Sequence, residues 1–344
     1  MLLRQLSEAF GVSGHEGPVR ELILGAIQDH VDDHRVDALG NLIAKKRGDG
    51  QSSLKVMVAA HMDEVGLMIM HIEKDGWLRF QPVGGIDPRI LVAKRVLIGD
   101  DRVPGVIGVT PVHLLDRKAS SKALEIKDLA IDIGVSSRDE AENHVKLGDY
   151  ASFDVAYEEL GGELRTAKGK AFDDRAGCVA LVRLLQQRYP FDFYGAFTVQ
   201  EEIGARGARV AAHAIAPDVA FVLEGTICDD MPKKRDLSPT TSLGAGPAIT
   251  LMDRTLIADR RLVRLLVDTA EETGIAHQFK QPGRGSTDAG IIHLSRQGVP
   301  SAVVSAPIRN LHSPVSVLSL NDLDGMVQLM QESMYRLTER DLSR

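Results

Sequence analysis

Apolar positions along this chain follow two spacings, and the pattern changes character twice. Val19, Leu22, Ile23, Ile27 and Val31 fall on one helical face, and Pro18 suits the first turn of that helix. Residues 2–10 read as an earlier short helix, and residues 36–44 as a hairpin around Gly40-Asn41. Residues 54–60 are nearly all apolar, as in a strand covered on both faces, and the run ends at His61. From about residue 66 to residue 160 the texture becomes short alternating runs, separated by Lys74-Asp-Gly76, Gly84-Gly85, Gly99-Asp-Asp101 and Pro104-Gly105. These runs predict strands at 67–72, 77–83, 95–98, 106–109, 129–133 and 150–155. One helix near 139–145 interrupts them, capped by Ser136 or Ser137.

After Gly161-Gly162 a slower rhythm resumes. Strands at 194–199, 219–223, 248–252, 276–280 and 301–305 alternate with helices at 176–188, 205–214, 260–273 and after Ser286-Thr-Asp288. Asn321 is placed as the cap of a last helix carrying Leu323, Val327 and Met330 on one stripe. This alternation predicts an α/β fold with a mainly parallel sheet covered by helices. Residues 1–65 and 161–344 would form it as a discontinuous catalytic domain, with residues 66–160 as an inserted, barrel-like β domain. Ligands in such sheets bind beyond the carboxyl ends of the strands.

At 344 residues the chain exceeds what one hydrophobic core usually organises. Its 44% hydrophobic and 26% charged content is ordinary for a globular protein. A formal charge of −7 argues against nucleic acid or an anionic membrane as partner, and the basic run Lys233-Lys-Arg235 reads as solvated. Cys178 and Cys228 have no metal-like spacing and suit a reducing compartment. Charges interrupt the apolar pattern of residues 1–10, and no run approaches the roughly 18 apolar residues of a membrane span. A cytoplasmic protein is expected.

Thr198-Val-Gln-Glu-Glu-Ile-Gly204 places Glu201 and Glu202 at a strand-to-loop corner, where neighbouring side chains point different ways. Carboxylates at the end of a core strand are costly unless something cationic receives them. Singly, each candidate has a bland reading: a solvated acidic turn for this pair, a core-edge histidine for His61 with Asp63, a helix cap for Asp173-Asp174. Glu224 alone is a strand-end acid, and His312 alone a loop histidine. Together, His61, Asp173, Glu201, Glu202, Glu224 and His312 each stand at or just beyond a predicted strand end. One bridging carboxylate, two terminal ones and two imidazoles suit two divalent ions. Ions about 3.5–4 Å apart activate a water and stabilise a tetrahedral intermediate, and an unligated glutamate would carry the proton. Competing signals are thin. Gly283-Arg-Gly-Ser-Thr-Asp-Ala-Gly290 superficially resembles a phosphate loop but lacks its Lys-Ser/Thr ending.

Four motifs in order, Ala60-His-Met-Asp-Glu-Val-Gly66, Ala171-Phe-Asp-Asp-Arg-Ala-Gly177, Val199-Gln-Glu-Glu-Ile-Gly-Ala-Arg-Gly207 and Asn310-Leu-His-Ser-Pro314, carry a family resemblance. The chain resembles the tetrahedral, dodecameric metalloaminopeptidases, which include glutamyl, leucyl and deblocking aminopeptidases and some members called endoglucanases. The resemblance runs nearly end to end. It implies a zinc-exopeptidase-like (phosphorylase/hydrolase-like) catalytic domain with two divalent ions, zinc or cobalt first, the ligand set also accepting manganese. By motif, His61, Asp173 and Glu224 would hold one ion, and Asp173, Glu202 and His312 the other. Asp173 would bridge, its peptide bond to Asp174 would be cis, Glu201 would be the general base and Asp63 would orient His61. The inserted domain would mediate homo-oligomerisation, expected as a dodecamer built from dimers.

One position departs from the pattern: Glu224 stands where the best-known aminopeptidases have Asp. In the wider clan a Glu there often accompanies dipeptidase or carboxypeptidase activity. The reading is an exopeptidase acting on free amino termini of short peptides. The alternatives are a metal-dependent dipeptidase or carboxypeptidase, another amide hydrolase, an endoglucanase, or a non-catalytic assembly protein. A glycosidase needs only a carboxylate pair flanking a sugar ring, and a non-catalytic relative would be expected to lose Glu201 or a ligand. Which first residue is preferred stays open; Arg89, Lys94, Arg254 and Arg284 are candidate contacts to an acidic side chain.

Overall fold

A computed structural model describes residues 1–114, 123–232, 240–281 and 283–342 of the chain. Lys233-Lys-Arg235 lies outside the described residues. Four parallel strands, Asp192–Thr198, Lys55–His61, Val219–Cys228 and Ser301–Arg309, occupy the middle of an eleven-stranded sheet. Antiparallel strands finish its edges. Leu42–Lys46 and Asp33–Val36 close one side; Ser316–Ser319, Thr166–Gly169 and Glu158–Gly161 close the other.

The apolar run at 54–60 explains the layers. Successive strand side chains face opposite ways, so Val56, Val58 and Ala60 enter one core while Met57 and Ala59 enter another. Phe172–Leu185, Arg260–Thr273 and Leu320–Arg336 cover the first face, joined by Leu2–Glu8 and Gly17–Ile27. Arg206–Ile215 and Ala289–Ile292 cover the second. Between the halves of this sheet, six strands close into a barrel in the order Gly66–Ile72, Leu78–Val83, Leu129–Asp132, Val103–Val109, Arg95–Ile98 and Tyr150–Phe153. The barrel has its own core, which includes Leu67, Phe80, Ile98 and Ile131.

Two local expectations need correction. Ser319, not Asn321, caps the last helix: its Oγ accepts the Asp322 N–H at 3.2 Å, because the helix starts directly after the strand Ser316–Ser319. Asn321 lies inside the first turn and donates to the Glu163 carbonyl at 2.9 Å. Glu224 is not at a strand end. Val219–Cys228 continues past it because it pairs with Ser301–Arg309 along its whole length, up to Cys228 opposite Arg309. Lys55–His61 leaves this pairing after Ala59 opposite Val222. The strands therefore diverge beyond that point, and Glu224 faces the gap.

A buried ionic knot ties the barrel to the sheet. Glu64 Oε1 accepts from Lys170 Nζ at 2.6 Å, from Ser152 Oγ of the barrel at 3.2 Å and from the Gly11 N–H at 3.2 Å. Arg175, fully buried, stands 3.6 Å from the same oxygen. Removing one member of a buried ion pair leaves an uncompensated charge. Lys170→Met is therefore expected to lower stability by about 3–5 kcal/mol, read from urea unfolding with metal held constant. A loss under about 1 kcal/mol, the worth of a surface pair, would show that Arg175 and the backbone satisfy Glu64 alone.

Candidate metal centre

His61 ends the strand Lys55–His61 with its side chain only 1% exposed. Its Nδ1 lies 3.1 Å from the Asp63 carbonyl and 3.3 Å from Asp63 Oδ1. That leaves Nε2 facing Asp173 Oδ1 at 3.3 Å and Glu224 Oε2 at 3.6 Å. Asp63 does more than orient the imidazole. Its carboxylate also accepts the backbone N–H groups of Glu201 and Glu202, at 3.0 and 3.1 Å, and the Ser13 hydroxyl at 2.5 Å. One buried acid thus sets both the histidine and the Glu-Glu corner. The corner itself is a tight turn in which the Glu201 carbonyl accepts from Gly204 and Ala205. Gly204 sits at φ +118°, a conformation that side-chain-bearing residues rarely adopt.

Asp173 and Asp174 open the helix Phe172–Leu185 with non-helical backbone, and the peptide between them is cis, as the family resemblance implied. Asp173 faces the cleft: its Oδ2 stands 3.5 Å from His312 Nε2. Asp174 faces the core, where it accepts the His61 N–H at 3.2 Å and the Gly177 N–H at 2.8 Å. His312 Nε2 also lies 3.2 Å from Glu202 Oε2, and its Nδ1 lies 3.1 Å from the Gly85 carbonyl. The fold therefore brings His61, Asp63, Asp173, Glu201, Glu202, Glu224 and His312 together at one site.

Burial dominates the electrostatics. It raises the Glu201 carboxyl well above its ordinary value, helped by the charges of Glu224 and Asp288, and pushes Glu202 up to about 8. Glu224 is raised by the same cause. Burial opposes charge on the imidazoles too, yet hydrogen bonds donated by His61 to Asp173, Asp63 and Glu224 hold it well above its usual range. Burial would likewise raise Asp173, but His312 and His61 on either side keep it ionised. More carboxylates than imidazoles are thus packed where water cannot solvate them, an arrangement that divalent cations would relieve.

The donor set fits such ions. Two donors about 2.1 Å from a common ion in tetrahedral geometry stand about 3.4 Å apart, close to the 3.2–3.6 Å separations of His61 and His312 Nε2 from the oxygens of Asp173, Glu224 and Glu202. Glu224 Oε1 is buried without a hydrogen-bond partner. Donor atoms of His61, Asp173 and Glu202 lie within 4.8 Å of one another, as do those of His61, Asp174 and Glu224. Asp174 is the weaker candidate of the two aspartates, because both its oxygens already accept backbone N–H groups.

Sequence reasoning passed over Asp288, taken only as a helix start. It is fully buried, accepts the Thr198 hydroxyl at 2.5 Å, and is pushed up to about 7 by burial and by the charge of Glu224. It makes no side-chain cap bond, although it stands at the N-terminus of the helix Ala289–Ile292. The cluster opens into a cavity of about 1150 Å³. Arg89, Arg284 and Lys280 line it, whereas Lys94 and Arg254 do not. Arg89 is paired with Asp87 at 2.5 Å.

The M42 glutamyl aminopeptidase family model matches residues 40–329. A lysyl aminopeptidase of Pyrococcus furiosus is 35% identical over 350 residues, covering 99% of this chain and 98% of that protein. Aminopeptidase APDkam598 from the archaeon Desulfurococcus kamchatkensis has a TM-score of 0.93 at 38% identity, covering 99% of this chain and 96% of that one. The TET1 peptidase of Pyrococcus horikoshii, which can assemble into a tetrahedron or a large octahedral shell, gives 0.86 at 36% identity, with 98% and 99% covered. On the agreement of family model, relative and fold over almost its whole length, this chain belongs to the M42 glutamyl aminopeptidase family of metallo-aminopeptidases.

Proposed function

We propose that this aminopeptidase removes N-terminal residues from short peptides at a centre for two divalent cations, zinc or cobalt first and manganese as a third choice. His61, Asp173 and Glu224 would hold one, and Asp173, Glu202 and His312 the other. The observation that carries this is the placement of Asp173 between two imidazole nitrogens, at 3.3 and 3.5 Å. Bound cations of this kind supply Lewis-acid polarisation of the scissile carbonyl and ease deprotonation of a water.

The chain's own groups supply the rest. Glu201 lines the same cavity, and among the described residues nothing hydrogen-bonds its carboxylate. A raised carboxyl in that position suits a general base that takes the water's proton and returns it to the leaving amine. Asp63 fixes the corner from which Glu201 projects. A cavity of about 1150 Å³ has room for the first few residues of a peptide. The carboxylates converge with imidazoles at 3.2–3.6 Å, a donor set that a glycosidase, which works with a carboxylate pair alone, does not need.

The barrel within residues 66–160 is our candidate for the assembly domain of a homo-oligomer, a dodecamer built from dimers. Its exposed Met70, Trp77 and Val106 are apolar surface that a partner copy would cover. We place the protein in a reducing cytoplasm on its cysteine usage, Cys178 and Cys228 both being buried and free. No helix among the described residues is long and apolar enough to cross a membrane.

The test is a screen of aminoacyl-anilides and N-blocked peptides after chelation and reloading with zinc, cobalt or manganese. Free amino termini should be cleaved only after reloading, and blocked ones not at all. Release of residues from the carboxyl end, or equal cleavage of blocked substrates, would contradict the aminopeptidase reading in favour of a carboxypeptidase or another amidase.

A further inference from the structure

The two imidazoles that face Asp173 are held very differently. His61 ends a buried strand and is fixed by Asp63. His312 lies on the loop after Ser301–Arg309, at φ +54°, with Asn310 at +56°, a region that non-glycine residues enter at a cost. Its side chain is 36% exposed. Apart from Asp173 and Glu202, its ring meets one partner among the described residues, the Gly85 carbonyl, at 3.1 Å from Nδ1.

Gly85 follows the barrel strand Leu78–Val83. Gly84 before it sits at φ +87°, and a Cβ there would stand 2.8 Å from Val65 Cγ1 and 3.3 Å from Glu202 Cβ. The turn therefore lies directly against Glu202, the second acid facing His312. Gly84 lets barrel backbone approach where a side chain would hold it away.

We infer that the Gly84-Gly85 turn of the barrel is the positioning element for His312, so that the cation position of Asp173, Glu202 and His312 depends on how the barrel is seated. The inference rests on the two-cation reading above. With its Nδ1 proton donated to Gly85, the imidazole keeps the Nε2 lone pair toward Asp173 and Glu202, the tautomer a ligand needs. The His61 position has its own anchor in Asp63 and does not use the turn.

The experiment is calorimetric titration of the metal-free full chain with zinc. Gly84→Ala pushes a Cβ against Val65 and Glu202; one glycine inserted after Gly85 lengthens the tether without adding any side chain. Each change should weaken one of the two ions by about 10–100-fold, the usual effect of removing a group that orients a ligand, and leave the other within about threefold. Nitrogen NMR of histidine-labelled protein, with His312 assigned through His312→Gln, should show a protonated Nδ1 in wild type and lose that signature in the insertion variant. If Gly84→Ala does not fold, the insertion variant decides. Equal weakening of both ions, or unchanged binding and an unchanged His312 signal after insertion, would overturn the tether. A wild type that binds only one ion would sink the two-cation reading itself, and the tether with it.

Discussion

Glu201→Gln should leave both cations in place and lower turnover by about 10²–10⁴-fold, the usual worth of general acid–base catalysis. The amide keeps the size and polarity of the carboxylate but cannot take a proton. KM should change little, because binding does not use that transfer. Glu202→Gln makes the contrast. It replaces an anionic donor, 3.2 Å from His312 Nε2, by a neutral one, so metal affinity should fall first and excess metal should restore part of the activity. Metal analysis and steady-state kinetics on the two variants separate the roles. Rescue of Glu201→Gln but not Glu202→Gln by metal would mean the roles are reversed; wild-type turnover in both would remove this corner from catalysis.

Asp173→Asn should have the largest effect on metal content. Asp173 is the acid that both imidazoles face, one oxygen toward each, so its loss touches both cation positions at once. Affinity for each ion should drop by more than the about 10–100-fold typical of residues that merely orient a ligand. His61→Ala and His312→Ala should each weaken mainly one. Elemental analysis after dialysis reads this directly. Two ions per chain retained in Asp173→Asn would rule out the bridging role.

Much of this was legible because it is local. The unbroken apolar run at 54–60 and the helix at 260–273 depend on nothing distant, and both elements form within one residue of where they are expected. The site was legible because His61, Glu201 and Glu202 stand where parallel strands end, the usual ligand edge of such sheets. What was hidden is non-local. Glu224 faces the gap only because its strand outruns Lys55–His61 while staying paired to Ser301–Arg309. Asp63 reaches across to amides about 140 positions away in the chain, at Glu201 and Glu202. Asp288 carried the ordinary mark of a helix start, and nothing around it announced that Thr198 would hold its carboxylate in the core. Gly84-Gly85 read as a turn, which it is; that the turn lies on Glu202 is a matter of tertiary packing.

Anomalous diffraction from crystals of the zinc-loaded protein would locate the bound ions directly. Two peaks per chain are expected with Asp173 between them, one also coordinated by His61 and Glu224 and the other by Glu202 and His312, and Glu201 coordinating neither. A single peak, or an ion held by Glu201, would contradict this assignment.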